Sequence, residues 1–311
     1  MKLSDSTPAL ALDHVSKRFG RIPAVEDLSL EVEPGQMAGF LGPNGAGKST
    51  TLYMIPRLLR PSGGRIRIFG ADIWQDYKQA IRSVGITVES PAFYDYLSGR
   101  ANLELAARMK GGVSAGEIDR ILERVGLAER QHDRARIYST GMRQRLGIGR
   151  AMLGHPRLLI LDEPTNGLDP EGTQEVLSFL REQVREEGLT IFISSHLMSE
   201  VEEFCKTVFV INRGRLVASG QVRELLKPHE RMVRVTFQGR VPTADFFSSQ
   251  KQIRSVATQS EDTLEITLAE EDSAWLNQRL LQAGFAISAI TPKQKTLKEF
   301  FLSITGENAH G

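Results

Sequence analysis

The chain has 311 residues, 41% of them hydrophobic and 25% charged, which fits one large or two modest globular domains and excludes a disordered or fibrous protein. Lys and Arg number 39 against 38 Asp and Glu, a formal net charge of +1, so no global basic field exists to hold a nucleic acid and none is expected as a partner. Cys205 is the single cysteine, which excludes an intrachain disulfide and suits a reducing compartment.

In chain order, the opening MKLSDSTPAL lacks the apolar core of a secretory signal, and no run approaches the roughly 18 to 20 apolar residues that span a bilayer. Residues 1–220 alternate short apolar runs with amphipathic segments, the pattern of strands and crossover helices in an α/β layer fold. Residues 37–41, 158–161 and 190–194 are nearly continuous apolar runs and are expected as central parallel strands covered on both faces, with a further strand at 84–88. Residues 97–109 and 117–125 carry helical spacing, broken by Gly111-Gly112, so a mostly helical insert is expected over 90–153.

Near Lys227-Pro228 the pattern changes. Val233, Val235 and Phe237 alternate with polar residues, Leu264, Ile266 and Leu268 do so again, and residues 273–281 read as a helix. Two domains are therefore expected, at 8–228 and 229–311, the second a small α+β module. Residues 231–311 hold nine Lys/Arg and nine Asp/Glu, an electrically balanced tail unlike a phosphate-gripping arm. At its end Leu297, Phe300, Phe301 and Ile304 have helical spacing, read as core packing.

Gly42-Pro43-Asn44-Gly45-Ala46-Gly47-Lys48-Ser49 satisfies G-x-x-x-x-G-K-[ST] between an apolar strand and an expected helix, with Thr50 following. Glycines let backbone N–H groups approach phosphates, and the start of a helix favours the anion. Lys48 adds a charge that reaches terminal phosphates, and the Ser49 hydroxyl is a hard oxygen suited to Mg²⁺. Alone, this loop says only that a nucleoside triphosphate binds.

The run at 158–161 ends in Asp162-Glu163, at the strand edge where open α/β sheets bind ligands. Asp162 suits Mg²⁺, and Glu163 suits orienting or deprotonating an attacking water. Pro164 and Gly167 make the next segment a loop, against reading the two acids as a helix cap. Another apolar strand closes in Ser194-Ser195-His196, which brings His196 to the same edge, where an imidazole can donate to the terminal phosphate.

With these residues in order, the chain resembles the nucleotide-binding subunits of ABC transporters. Tyr138-Ser139-Thr140-Gly141-Met142-Arg143-Gln144-Arg145, before a helical stretch, resembles that family's LSGGQ signature. The resemblance implies a P-loop NTPase fold with a helical subdomain, ATP and Mg²⁺ as ligands, and ATP hydrolysis with Glu163 and His196 as catalytic residues. It implies that Ser139, Thr140, Gly141 and Met142 face the ATP held by a second copy or a related subunit, with two such chains arranged head to tail. Asn166-Gly167-Leu168-Asp169 looks like the D-loop that joins the two sites. Residues 15–20 look like the adenine-stacking segment, with Phe19 as the aromatic face and its burial in the core as the rival reading.

One residue departs from the family pattern. After the strand at 84–88 the family usually places glutamine, whereas this chain has Glu89, a candidate metal contact that brings extra negative charge near the phosphates. The stretch Glu89-Ser90-Pro91-Ala92-Phe93-Tyr94 resembles the branch serving antibiotic, bacteriocin and polysaccharide or lipid exporters. The implied partners are separate membrane-spanning permease subunits, docked through Phe93, Tyr94 and Tyr96 at the cytoplasmic face of the cell membrane, although those rings equally suit burial under the helical insert. Two other readings stand beside this one at the level of sequence: a regulatory subunit that binds ATP with little turnover, and an ABC ATPase with no role in transport.

Overall fold

The computed structural model describes residues 7–88, 92–226, 231–269, 273–293 and 296–305. Glu89, Ser90 and Pro91 lie outside the described residues, as does the expected boundary at Lys227-Pro228. The chain divides into two compact units, the second being Arg223–Ser303.

The first unit opens with β1 (Leu10–Phe19) and β2 (Ile22–Val32), followed by β3 (Met37–Leu41), α1 (Lys48–Met54), β4 (Gly63–Ile68), β5 (Ala71–Asp72), α2 (Tyr77–Arg82) and β6 (Val84–Thr87). Next come α3 (Gly99–Lys110), α4 (Ala115–Arg124), a 3₁₀ turn at Ala135–Ile137 and α5 (Thr140–Met152), which together form the expected helical insert. The unit continues with β7 (Leu158–Asp162), α6 (Pro170–Glu187), β8 (Thr190–Ser195), α7 (Met198–Phe204), β9 (Thr207–Asn212) and β10 (Arg215–Gln221), and a short α8 (Val222–Leu225) follows.

Two sheets result. A six-stranded sheet has the order β10-β9-β3-β8-β7-β6, parallel from β9 to β6 with β10 antiparallel at one edge. Its central strands β3, β7 and β8 are buried along nearly their whole length because both faces are covered, as the sequence predicts, whereas the edge strand β10 is largely exposed. Phe40, Phe192 and Phe209, on three neighbouring strands, pack ring against ring with centroids 5.4 and 6.4 Å apart.

The second sheet, β2-β1-β4-β5, is antiparallel throughout and departs from the expected alternation of strands with crossover helices. Bulges explain why its strands are hard to read. The pairing of β1 with β2 slips at three points between Leu12 and Arg18, and each extra residue shifts the side chains that follow to the other face.

Helix α5 begins at Thr140, inside the segment that resembles the LSGGQ signature rather than after it. Ser139 takes the N-cap position, its Oγ accepting the Met142 N–H at 3.2 Å. The lone Cys205 is buried, and burial, with Glu200 adding to it, pushes its thiol up to about 12.

The second unit runs β11 (Arg231–Phe237), α9 (Ala244–Ser248), β12 (Ile253–Thr258), β13 (Thr263–Leu268), α10 (Ser273–Gln282), β14 (Ile287–Lys293) and α11 (Leu297–Thr305). The order β12-β13-β11-β14, antiparallel throughout, is the split β-α-β arrangement of ferredoxin-like folds. Val233, Val235 and Phe237 join Leu264, Ile266 and Leu268 in one core with Leu276 and Leu280 of α10, the alternation expected from sequence. On α11, Leu297 and Phe301 are buried while Ile304 is exposed.

Candidate functional site

Parallel strands β3, β8 and β7 are adjacent, so the segments that leave their carboxyl ends meet along one sheet edge. The loop 42–49 leaves β3, His196 leaves β8, and Glu163 leaves β7.

The loop turns tightly into α1. Gly47 has φ 105°, and a side chain there would meet the Ala24 carbonyl oxygen at 2.6 Å; one at Gly42 would meet the Ile211 carbonyl oxygen at 2.4 Å. Both positions therefore require glycine. The Ala46 N–H donates to Pro43 O (3.1 Å) and the Gly214 N–H to Ala46 O (2.9 Å), which pins the loop to the turn between β9 and β10. Lys48 is only 5% exposed, and its Nζ donates to Gly42 O at 2.8 Å and to Pro43 O at 3.3 Å. Asn44, Gly45 and Ser49 are exposed on the lip.

Across from it, Glu163 is held from both ends. Its Oε1 lies 3.5 Å from Lys48 Nζ and its Oε2 3.2 Å from His196 Nδ1. Its main chain takes φ 44°, a left-handed conformation that non-glycine residues seldom adopt and that recurs at functional sites. A carboxylate only accepts, so His196 Nδ1 carries a proton in this contact.

A residue the sequence reading passed over completes this cluster. Ser194 Oγ donates to Asp162 Oδ1 at 2.5 Å and accepts the Glu163 N–H at 3.0 Å. Its neighbour Ser195 serves the other side: its Oγ donates to Glu200 Oε2 (2.9 Å) and accepts the Leu197 N–H (2.9 Å), fixing the turn that carries His196. The signal available in the sequence was a pair of hydroxyls ending an apolar strand, since buried hydroxyls need partners.

Among the described residues no group of three or more His, Cys, Asp or Glu side chains is arranged to hold a metal ion. Ser49 is exposed on the lip and Asp162 closes β7 with Oδ1 bonded to Ser194; both carry hard oxygens of the kind Mg²⁺ takes, an ion that keeps several waters and binds through one or two protein oxygens plus substrate phosphates rather than in an all-protein cage.

The signature segment forms a separate recess with the D-loop, about 440 Å³ in volume, lined by Ser139, Thr140, Gly141, Gly167, Leu168 and Asp169 among others. Asp169 caps α6, its Oδ1 accepting the Gly172 N–H at 2.9 Å. A side chain at Gly141 would touch Leu168 Cδ2 at an ordinary 3.6 Å, so packing within this chain does not demand a glycine there. Phe19 is 51% exposed with Lys17 Nζ 5.1 Å from its ring centre, so the burial reading of Phe19 is not what the fold adopts.

Tyr94 and Tyr96 are 52% and 69% exposed and meet edge to face at 5.9 Å, whereas Phe93 is partly covered by the Arg150 guanidinium. Asn102 of α3 staples this segment, accepting the Tyr94 N–H at 2.9 Å and donating to Tyr94 O at 3.1 Å. The segment borders a groove of about 610 Å³ that also includes Leu105, Met109 and Lys110.

Residues 25–166 match the ABC transporter family. The chain is 38% identical to an uncharacterised ABC transporter ATP-binding protein of Bacillus subtilis, YhcH, over 96% of either chain. It is 34% identical to the bacitracin transport ATP-binding protein BcrA of Enterococcus faecalis, covering 94% of this chain and 95% of BcrA. A solved ATP-binding subunit of an ABC transporter superposes with TM-score 0.63 at 32% identity, over 70% of this chain and 91% of that one. Likeness at this level over nearly the whole length settles the family: the chain belongs to the ATP-binding subunits of ABC transporters.

Proposed function

We propose that two copies of this chain close on two molecules of MgATP, hydrolyse them and reopen, and that this cycle drives separate membrane-spanning subunits that export a compound across the cell membrane. The observation that carries the reading is Glu163, whose carboxylate is fixed between Lys48 Nζ at 3.5 Å and His196 Nδ1 at 3.2 Å on the edge of the phosphate loop. A carboxylate so held accepts a proton from an attacking water, while Lys48 and the loop N–H groups hold the terminal phosphate. Ser49 and Asp162 would hold Mg²⁺, which supplies charge neutralisation at the phosphates when bound.

The exposed Phe19 ring supports stacking against adenine. Glycine at 141 supports close approach by something outside the chain, as expected if Ser139 and its neighbours cover the nucleotide of a second copy.

No helix among the described residues is long and apolar enough to cross a membrane, so the reading assigns the transport path to other subunits. Tyr94 and Tyr96 beside an apolar groove are suited to receive such a subunit at the cytoplasmic face. Export is supported by the similarity to a bacitracin transport ATP-binding protein.

The test is Glu163→Gln. Phosphate release should fall about 10²- to 10⁴-fold while MgATP binding persists and the variant accumulates as a dimer on size-exclusion chromatography. A variant that stays monomeric in MgATP at high protein concentration rules out the shared site, and undiminished phosphate release rules out Glu163 as the base.

A further inference from the structure

Ser194 sits in the middle of the six-stranded sheet with no exposed surface, between Phe40 on β3 and Asp162 on β7. A hydroxyl in such a place costs free energy unless it is hydrogen-bonded, and the apolar run before it offers no reason for one. The parallel register supplies the reason. It sets Ser194 opposite Asp162, so one oxygen reaches two consecutive residues of the neighbouring strand end: it donates to Asp162 Oδ1 and accepts from the Glu163 N–H.

Those two residues have different tasks in the proposed cycle, and Ser194 joins them. Its bond to Asp162 engages Oδ1 and so fixes the rotation of that carboxylate, with Oδ2 left to other partners. Its bond to the Glu163 N–H secures the residue at φ 44°, a conformation unfavourable for glutamate unless surrounding contacts hold it. The Asn166 N–H bonds to Glu163 O at 3.0 Å on the far side of the same turn. The Glu163 side chain is gripped by Lys48 and His196, while Ser194 holds its main-chain N–H and Asn166 its carbonyl.

We propose that Ser194 is a positioning residue for nucleotide turnover, a single buried hydroxyl that sets Asp162 toward the metal and Glu163 toward the water. This inference rests on the hydrolytic reading given above. Outer contacts of this kind, which orient a metal-binding carboxylate without touching the metal, typically change affinity or activity by 10- to 100-fold when removed.

The experiment separates the two. In the Glu163→Gln background, where turnover does not intrude, ATP affinity is measured by calorimetry with Mg²⁺ and with EDTA. Adding Ser194→Ala should shrink the gain in affinity conferred by Mg²⁺ by about threefold or more, leaving the EDTA value within about twofold. In the otherwise native chain Ser194→Ala should lower kcat about tenfold or more, with KM for MgATP rising only by the factor lost from the Mg²⁺ gain, and Ser194→Thr, which keeps the hydroxyl, should restore both readouts. Ser194→Cys, close in volume and a weaker hydrogen-bonding group, carries the same comparison if the alanine variant does not fold.

An unchanged Mg²⁺ gain overturns the proposal, as does an equal loss of affinity in EDTA or a threonine variant as impaired as alanine. A native chain that releases no phosphate, or Glu163→Gln that releases it at the native rate, removes the hydrolytic reading instead. The Mg²⁺ comparison is read without turnover in either case.

Discussion

The loop around Lys48 and the turn around Ser139 each place backbone N–H groups at a helix start, and they differ in what surrounds them. Lys48 is buried and answered within its own chain by two carbonyls and Glu163. Ser139 sits in an open recess, its side chain spent on capping α5, and Ile137 two residues before it is 56% exposed. One edge is complete as folded, and the other presents polar and apolar surface that the chain itself leaves uncovered. On the proposed reading the difference is the mechanism, because a site divided between two copies works only when they meet.

That comparison breaks most visibly in a mixing experiment. Truncating one partner of a buried charged hydrogen bond costs about 2–5 kcal/mol, so Lys48→Ala should weaken MgATP binding on the order of 30-fold or more and silence phosphate release. Ser139→Arg should leave ATP binding to the separate chain intact and silence phosphate release as well. In an equimolar mixture half the dimers are mixed, and each mixed dimer has one intact Lys48 edge facing one intact Ser139 edge. Phosphate release should then recover to about a quarter of the native rate, as counting sites in a two-fold dimer requires. No recovery, with both variants folded and mixed dimers present, means the two edges do not share a nucleotide.

A smaller effect sharpens the description of the Lys48 edge. Stacking of a base on an aromatic ring is worth about 1–3 kcal/mol by alanine substitution, so Phe19→Ala should raise the Kd for MgATP about tenfold. Phe19→Trp should restore it. Equal loss in both, measured by calorimetry, would assign the exposed ring to something other than adenine.

How much of this was legible in the sequence follows from how local each feature is. The phosphate loop could be read because all eight residues are contiguous and flanked by an apolar strand. Asp162, Glu163 and His196 could be placed on one edge because each closes an apolar run, and parallel strands align their ends. Ser194 could not be assigned, since its task depends on β7 and β8 being neighbours in a register that sets it opposite Asp162, and no local pattern encodes a long-range pairing. The antiparallel sheet escaped for a related reason: bulges in β1 disrupt the alternation that would have announced it. In the second unit β11 and β13 pair without slips, and their alternation was readable.

Asp169 belongs to the Ser139 region and gives the smallest of the expected effects. It lies in the Ser139 recess, and it caps α6, an 18-residue helix whose start is marked by Asp169 and Pro170. Loss of an Asp cap costs about 1 kcal/mol, which in a unit of this size lowers Tm by about 2–4 °C. Asp169→Ala should show that shift in a thermal melt. Asp169→Asn should not, because asparagine caps as well as aspartate and differs in charge. Comparing phosphate release in the two variants then separates geometry from electrostatics. The expected result is a loss confined to alanine, with asparagine within about threefold of native, since a cap that holds the recess in shape acts through its hydrogen bond. A loss shared by both variants would show that the negative charge itself acts across to the other copy, and the Ser139 edge would then be defined by charge as well as by its exposed backbone.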